Sequence, residues 1–229
     1  MPDETAQSQK KAVLLLTERD LAHALEALRN LDPALISAMM ALAGVTPLRA
    51  RAPGFAGLVG IVVSQQVSVA SARAIYGRIE ARFQSVEATA LHQASEADLK
   101  ACGLSAPKIR TLRALASAEL HQGLDFAGLA RQPAEMARAT LTAIHGIGPW
   151  SAEIFLLFCV GHPDAWPAGD LALQEGVRLA LALETRPDAK TLEALSQRWR
   201  PWRGAAARLI WAYYGAVKRG SADVIVAGA

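Results

Sequence analysis

The stretch 141-LTAIHGIGPWSAEIFLLFCVG-161 decides how the whole chain is read. One helix runs to about Ile144 and Pro149 opens another, since proline at a first helical position gives up only an N–H that would lack a partner anyway. Between them, Gly146-Ile147-Gly148 has the backbone freedom for a tight turn. Ile147 is placed to plug back between the two helices, while the N–H groups around the glycines face outward at a helix start. Such a start attracts anions, and glycines let a phosphate come close. Taken alone, Gly-x-Gly followed by Pro is also an ordinary helix–helix turn, so the decision rests on what surrounds it.

Composition narrows the surroundings. Of 229 residues, 52% are apolar and 20% charged, a balance that supports a packed core and leaves only the opening stretch MPDETAQSQK reading as disordered. The formal charge is +3 and the sequence pI about 9.1, which leans toward a polyanionic partner. Two cysteines, Cys102 and Cys159, stand far apart. They exclude a disulfide scaffold, a cysteine zinc site and a four-cysteine iron–sulfur cluster. No signal pattern opens the chain, and the longest apolar run, Ile154–Gly161, is too short to span a bilayer. The expectation is a soluble cytoplasmic protein without a membrane partner.

No segment alternates apolar with polar residues as a half-buried strand would, and Ala, Leu, Arg and Glu dominate, so the fold class reads as all-α. Thr17 and Asp20 form a capping-box pattern opening a helix to about 29. Asp32-Pro33 opens a second that Gly44 ends. After a Pro/Arg-rich bridge over 47–53, helices are expected at 54–65, 68–83, 86–93, 95–102, 105–122, 133–144, 149–160, 170–183, 188–199 and 203–217. Ser68, Ser85, Ser95 and Ser105 read as N-caps, Gly103 and Gly123 as stops.

Leu141, Ile144, Gly146, Ile147, Gly148 and the small pair Ser151-Ala152 together reproduce the helix-hairpin-helix signature of nucleic-acid backbone binders. The longer string 141-LTAIHGIGPWSAEIFLLFCVGHPDAWPAGDLALQEGV-177 resembles the helix-hairpin-helix DNA glycosylase superfamily, and within it the 3-methyladenine DNA glycosylase II branch. The likeness lies in the hairpin, Trp150, the pair Trp166-Pro167 and Asp170 before Leu171. The segments 62-VVSQQVSVASA-72, 103-GLSAPKIRTLRALA-116 and 199-WRPWRGAAARLIW-211 agree with the same branch, so the resemblance covers about residues 55 to 212.

By local physics Asp170 is a helix N-cap; the resemblance implies that it is also the catalytic carboxylate, and a helix start suits an anion. Cleaving an N-glycosidic bond leaves positive charge on the deoxyribose, which a fixed carboxylate stabilises while orienting water. Asp164 in the connecting loop and Glu153 in the second hairpin helix are the weaker rivals. Relatives that also nick DNA, such as endonuclease III and 8-oxoguanine glycosylase, carry a Schiff-base lysine where this chain has Trp150, and no lysine lies between Lys108 and Lys190. The resemblance therefore implies a monofunctional enzyme that uses water. A cationic alkylated purine over an indole face gains about 0.5–2 kcal/mol that a neutral base does not. Trp150 and Trp211 are the candidate pocket walls, with Phe155 and Trp166 behind them, although aromatic residues at helical spacing read equally well as core. Ile154 stands where the branch carries a tyrosine.

The resemblance assigns further parts. The wedge that fills the gap left by a flipped base falls on Gln66; by itself, Gln65-Gln66 also reads as a solvated helix end. A monovalent cation, Na+ or K+, would sit on the main-chain carbonyls of Thr142, Ile144 and Gly146; catalysis itself needs no cofactor. Phosphate contacts fall on Gly146, Ile147 and Gly148, with Lys108, Arg110, Arg200 and Arg203 as basic candidates, each of which alone reads as a solvated charge. The long members of the branch carry an N-terminal α/β domain, and this chain passes from ten polar residues straight into helix, as the compact members do. Two lobes are expected: 54–163 with wedge and hairpin, and 1–53 together with 164–229, the site lying in the cleft between them.

The expected activity is excision of alkylated purines from damaged double-stranded DNA, with 3-methyladenine and then 7-methylguanine as substrates, by a monomer acting on bacterial nucleoid DNA. The rivals are a glycosylase for another damaged base and a non-catalytic duplex-binding protein that uses the hairpin only for grip.

Overall fold

The computed structural model describes residues 13–227, so the opening stretch 1–10 lies outside it. Among the described residues the secondary structure is helical, without strands. The helices are α1 (Glu18–Leu31), α2 (Pro33–Ala43), α3 (Gly54–Ser64), α4 (Val69–Phe83), α5 (Ala88–Gln93), α6 (Glu96–Ala101) and α7 (Ala106–His121). They continue with α8 (Phe126–Leu129), α9 (Ala134–Thr142), α10 (Pro149–Phe155), α11 (Leu171–Ala180), α12 (Ala189–Ser196) and α13 (Arg203–Ala227). No helix among the described residues is long and apolar enough to cross a membrane.

The caps explain most boundaries. In α1 the Thr17 hydroxyl accepts from Asp20 N–H and the Asp20 carboxylate accepts from Thr17 N–H, closing the capping box, and Leu21, Ala24, Leu25 and Leu28 form the buried stripe. Ser68 and Ser95 cap α4 and α6 through their hydroxyls. Asp32 precedes Pro33 as read, but its carboxylate pairs with Arg198 at 2.9 Å instead of capping α2. The helix expected from Ser85 begins at Ala88 behind Glu87. The four-residue α8 was too short for the periodicity to register. The helix expected over 149–160 is α-helical only to Phe155 and then widens into a π-helical turn, Leu156–Val160.

Two sets of packing contacts position the site. α1, α2 and α11 pack against α13, whereas α3 packs against α4, α7 and α10, with α9 on α10 and α5 on α7. α11 and α13 approach closely at Gly176, where a Cβ would stand 2.5 Å from Ile210 Cγ2. This brings the N-terminus of α11, at Asp170, beside Trp211. α3 is the most apolar helix at the centre, burying Phe55, Leu58, Val59, Ile61, Val62 and Val63. Arg208, fully inside, donates to the carbonyls of Leu48, Leu157 and Gly204 and so ties three passes of the chain together.

Candidate active site

The hairpin forms where α9 ends. Ile144 N–H donates to Leu141 O and Ile147 N–H to Ile144 O, both at 3.1 Å, and Leu141, Ile144 and Ile147 are buried. Its two glycines serve different ends. Gly146 has φ +83°, and a Cβ there would stand 1.9 Å from Thr111 Oγ1 on α7, so this glycine lets the turn lie flat on α7. Gly148 has φ −84° and a Cβ on it would meet nothing within 4 Å; the protein's own packing does not require it to be small. The carbonyl of Ile144 is engaged by Ile147, while those of Thr142 and Gly146 accept no hydrogen bond from the turn. Two free carbonyl oxygens on one tight turn fit a monovalent cation, whose natural ligands are such oxygens.

Three elements converge on Asp170. It caps α11, accepting from Leu173 N–H at 2.9 Å. Trp150, at the start of α10, donates its indole N–H to Oδ2 at 3.0 Å. Trp211, on α13, donates its indole N–H to Oδ1 at 3.0 Å. The carboxylate thus has a donor on each oxygen from a side chain and a third from the backbone, which fixes where its charge lies. Trp150 remains 38% exposed, so part of its ring is open to a ligand. Behind Trp211 stacks Phe158, 5.7 Å away at 25°, and the guanidinium groups of Arg51 and Arg208 lie over the Phe158 ring at 5.7 and 5.2 Å. Burial pushes Arg208 down to about 10.

Phe158 was missed in the sequence, though it lies eight residues after Trp150, on the face that Ile154 shares. Phe155, expected behind the pocket, is instead fully buried against Phe126 at 5.6 Å. Trp166 is 2% exposed and packs against Trp199. Neither ring has surface to offer a base, because both point to the core side of their segments.

Arg203 is a second correction. It is 2% exposed and cannot reach a DNA backbone. It forks onto Asp164, with Nε–Oδ1 and Nη2–Oδ2 both at 2.8 Å, and also donates to Glu193 and Glu135. Arg200 joins the same cluster through Asp164 at 2.7 Å and through Glu135. Burial pushes the Glu135 carboxyl up, but hydrogen bonds from Arg200 and Arg203 prevail and hold it at about 2. Next to it, Glu153 is buried against Arg138 at 3.2 Å, and burial raises its carboxyl to about 7. This cluster makes rigid the loop that leads from the hairpin helix to Asp170, and Gln174 steadies the same loop by donating to Ala168 O at 2.9 Å.

Gln66 is exposed with φ +57°, a left-handed conformation rare for a side chain of its kind. Its neighbour Gln65 donates to Ser151 Oγ at 2.8 Å, tying this loop to the first turn of α10. Lys108 donates to Val63 O at 2.7 Å and so helps close the C-terminus of α3. Burial lowers its pKa. Arg110 is exposed on the same helix. Trp150, Asp170 and Trp211 are therefore brought together; the loop that carries Gln66 is tied through Gln65 to Ser151, next to Trp150; Phe155, Trp166 and Arg203 are not part of the group.

The profile of the HhH-GPD superfamily base excision DNA repair protein matches residues 59–201. A Mycobacterium tuberculosis protein described as a probable bifunctional transcriptional activator/DNA repair enzyme AlkA is 34% identical over 169 residues, which cover 66% of this chain and 31% of that protein. The chain thus spans about a third of that relative's length. DNA-3-methyladenine glycosidase from Bacillus halodurans superposes with a TM-score of 0.78 at 29% identity, over 86% of this chain and 91% of that one. Schizosaccharomyces pombe 3-methyladenine DNA glycosylase, Mag1, in complex with abasic DNA, superposes with a TM-score of 0.65 at 29% identity, over 82% and 95%.

Proposed function

Because the chain belongs to the HhH-GPD superfamily of base excision DNA repair proteins, we propose that it is a monofunctional DNA glycosylase. Its substrates are alkylated purines in duplex DNA, 3-methyladenine with 7-methylguanine as a second candidate, and its product is an abasic site. The observation that carries this reading is the pair of indole N–H groups on opposite oxygens of Asp170.

The chemistry follows from that arrangement. A base methylated at N3 or N7 is cationic, so the C1′–N bond can break with its electron pair returning to the base and no strong general acid is needed. Positive charge then develops on the deoxyribose. A carboxylate already held by three donors stabilises it without rearranging as the charge appears. Water completes the reaction by adding its hydroxyl to C1′, Asp170 orienting it and receiving its proton. Trp150 cannot attack C1′ as a lysine would, which supports hydrolysis without strand cleavage; its exposed face offers the cation–π contact that selects a charged base.

The remaining parts fit the same reading. The space beside Gly148 lets a phosphate approach the N–H groups at the start of α10. Thr142, Ile144 and Gly146 would hold a monovalent cation on their carbonyls, adding positive charge for a neighbouring phosphate. Gln66, exposed and held in a strained conformation, would fill the gap left by the flipped base, since such strain persists where function needs it. The two packing sets support a division into a central lobe, 54–163, and a second lobe of 1–53 with 164–229, in a protein that acts as a monomer.

The test is release of free bases from methylated duplex DNA by the wild type and Asp170→Asn, with strand breaks scored before alkali. Released 3-methyladenine that the variant abolishes, with no break until alkali is added, is the expected result. No release by a wild type that still binds duplex would overturn the proposal in favour of another lesion or a silent binding module.

A further inference from the structure

The two indoles that hold Asp170 differ in what lies against them. Trp150 is exposed, and among the described residues no aromatic ring packs on it. Trp211 is half-buried and Phe158 stacks on it, the planes at 25° and the centroids 5.7 Å apart. A single N–H···O bond fixes where an indole nitrogen sits but leaves the ring free to swing about that bond. A second ring lying flat against the indole removes that freedom.

Phe158 is itself clamped through both side chain and backbone. The guanidinium groups of Arg208 and Arg51 lie over its ring at 5.2 and 5.7 Å, where a cation is attracted to the ring face. Arg208 is buried and anchored on the carbonyls of Leu48, Leu157 and Gly204, the second of these being the residue before Phe158. Arg51 N–H donates to Phe158 O at 2.8 Å, which ties the segment before α3 to the π-helical turn, Leu156–Val160, that carries the ring. Turns of this kind recur at functional sites. Phe158 is only 9% exposed, too little to offer a face to a base.

We infer that Phe158 is a positioning residue for base release: held by Arg208 and Arg51, its ring keeps Trp211 in the orientation that aims the indole N–H at Asp170 Oδ1, 3.0 Å away. Donors that cannot swing leave the carboxylate nothing to rearrange as charge develops on the sugar. With one face of Trp211 covered, the open ring of Trp150 remains for the base. The inference rests on the reading of Asp170 given above.

Single-turnover base release from methylated duplex should be compared with affinity for a duplex carrying a tetrahydrofuran abasic-site analogue, at a temperature where every variant is folded. Phe158→Leu removes the flat ring, and Phe158→Met does so while keeping most of the volume. Either should slow release roughly 5- to 50-fold, less than the roughly 10- to 150-fold expected from Trp211→Phe, which deletes the N–H. Affinity for the abasic duplex should not change. In the Trp211→Phe background the Phe158 substitutions should slow release by no more than about 2-fold, because the group they act through is gone. Phe155→Leu truncates another buried ring, one packed on Phe126; it should lower the melting temperature and leave release by the folded protein unchanged. Wild-type release by both Phe158 variants, an equal slowing in the Trp211→Phe background, or an equal slowing by Phe155→Leu overturns the inference while leaving the glycosylase reading intact. A wild type that releases no base sinks the glycosylase reading itself.

Discussion

The two hairpin glycines predict opposite outcomes for the same substitution. Gly146→Ala forces an L side chain into φ +83° and sets a Cβ 1.9 Å from Thr111 Oγ1. The left-handed backbone costs roughly 1–2 kcal/mol, and the overlap, relieved only by moving α7 or the turn, roughly 1–3 kcal/mol more. The sum is about 2–5 kcal/mol. For a chain of this size 1 kcal/mol corresponds to about 2–4 °C, so the melting temperature should fall by about 4–20 °C. Gly148→Ala meets no atom within 4 Å and adopts an ordinary φ. Its smaller unfolded-state entropy offsets the poorer N-cap, and stability should stay within about 0.5 kcal/mol of wild type. Its Cβ nevertheless occupies the space in which a phosphate must approach the hairpin N–H groups, so duplex affinity should drop. Thermal melting and DNA titration of the two variants together form the assay. A Gly146→Ala protein that melts with the wild type, or a Gly148→Ala protein that binds DNA with full affinity, refutes this division of roles.

Three further outcomes follow from the site. Trp150→Phe keeps a ring for the base and deletes the N–H that holds Asp170 Oδ2; losing a hydrogen bond to a charged group costs about 1.5–3 kcal/mol, so single-turnover base release should slow roughly 10- to 150-fold with little change in melting temperature. Glu153 is almost fully buried with its carboxyl raised from 4.5 to about 7; the folded state holds this proton more tightly than the unfolded chain, so stability falls as pH rises from 4.5 through 7 by up to about 3 kcal/mol, and Glu153→Gln should flatten that fall in denaturation curves taken from pH 5 to 8. Gln66→Gly relieves a positive φ and removes the wedge, so it should melt at or above the wild-type temperature while base release from duplex declines and release from single strands does not.

What could be read from the sequence was local. The hairpin, its proline and the capping role of Asp170 are written in consecutive residues, and the helices they predict formed. The partnership of Trp211 with Asp170 joins residues 41 apart in sequence, and the sequence, which offered Trp211 only as a pocket wall, did not point to it. Phe155 and Phe158 show why the pocket was misjudged: both are buried, and their order in the chain does not tell that Phe155 packs on Phe126 while Phe158 stacks on Trp211. Arg203 shows a different limit. A basic residue in an Arg-rich segment looks like a phosphate ligand until the acids that surround it, Glu135, Asp164 and Glu193, are brought in from three other segments.

Four of the five tryptophans fall into two environments, with half-buried Trp202 against His23 apart from both, and this makes the protein its own optical sensor. Trp166 and Trp199 are sealed in the interior, where their emission should be blue and constant. Trp150 is open to solvent and shares a carboxylate with Trp211, so a purine stacking on it would quench the red edge of the spectrum while the interior pair stays unchanged. Base capture can therefore be followed in real time, without a label, as a change in spectral shape separate from the chemical step that follows it.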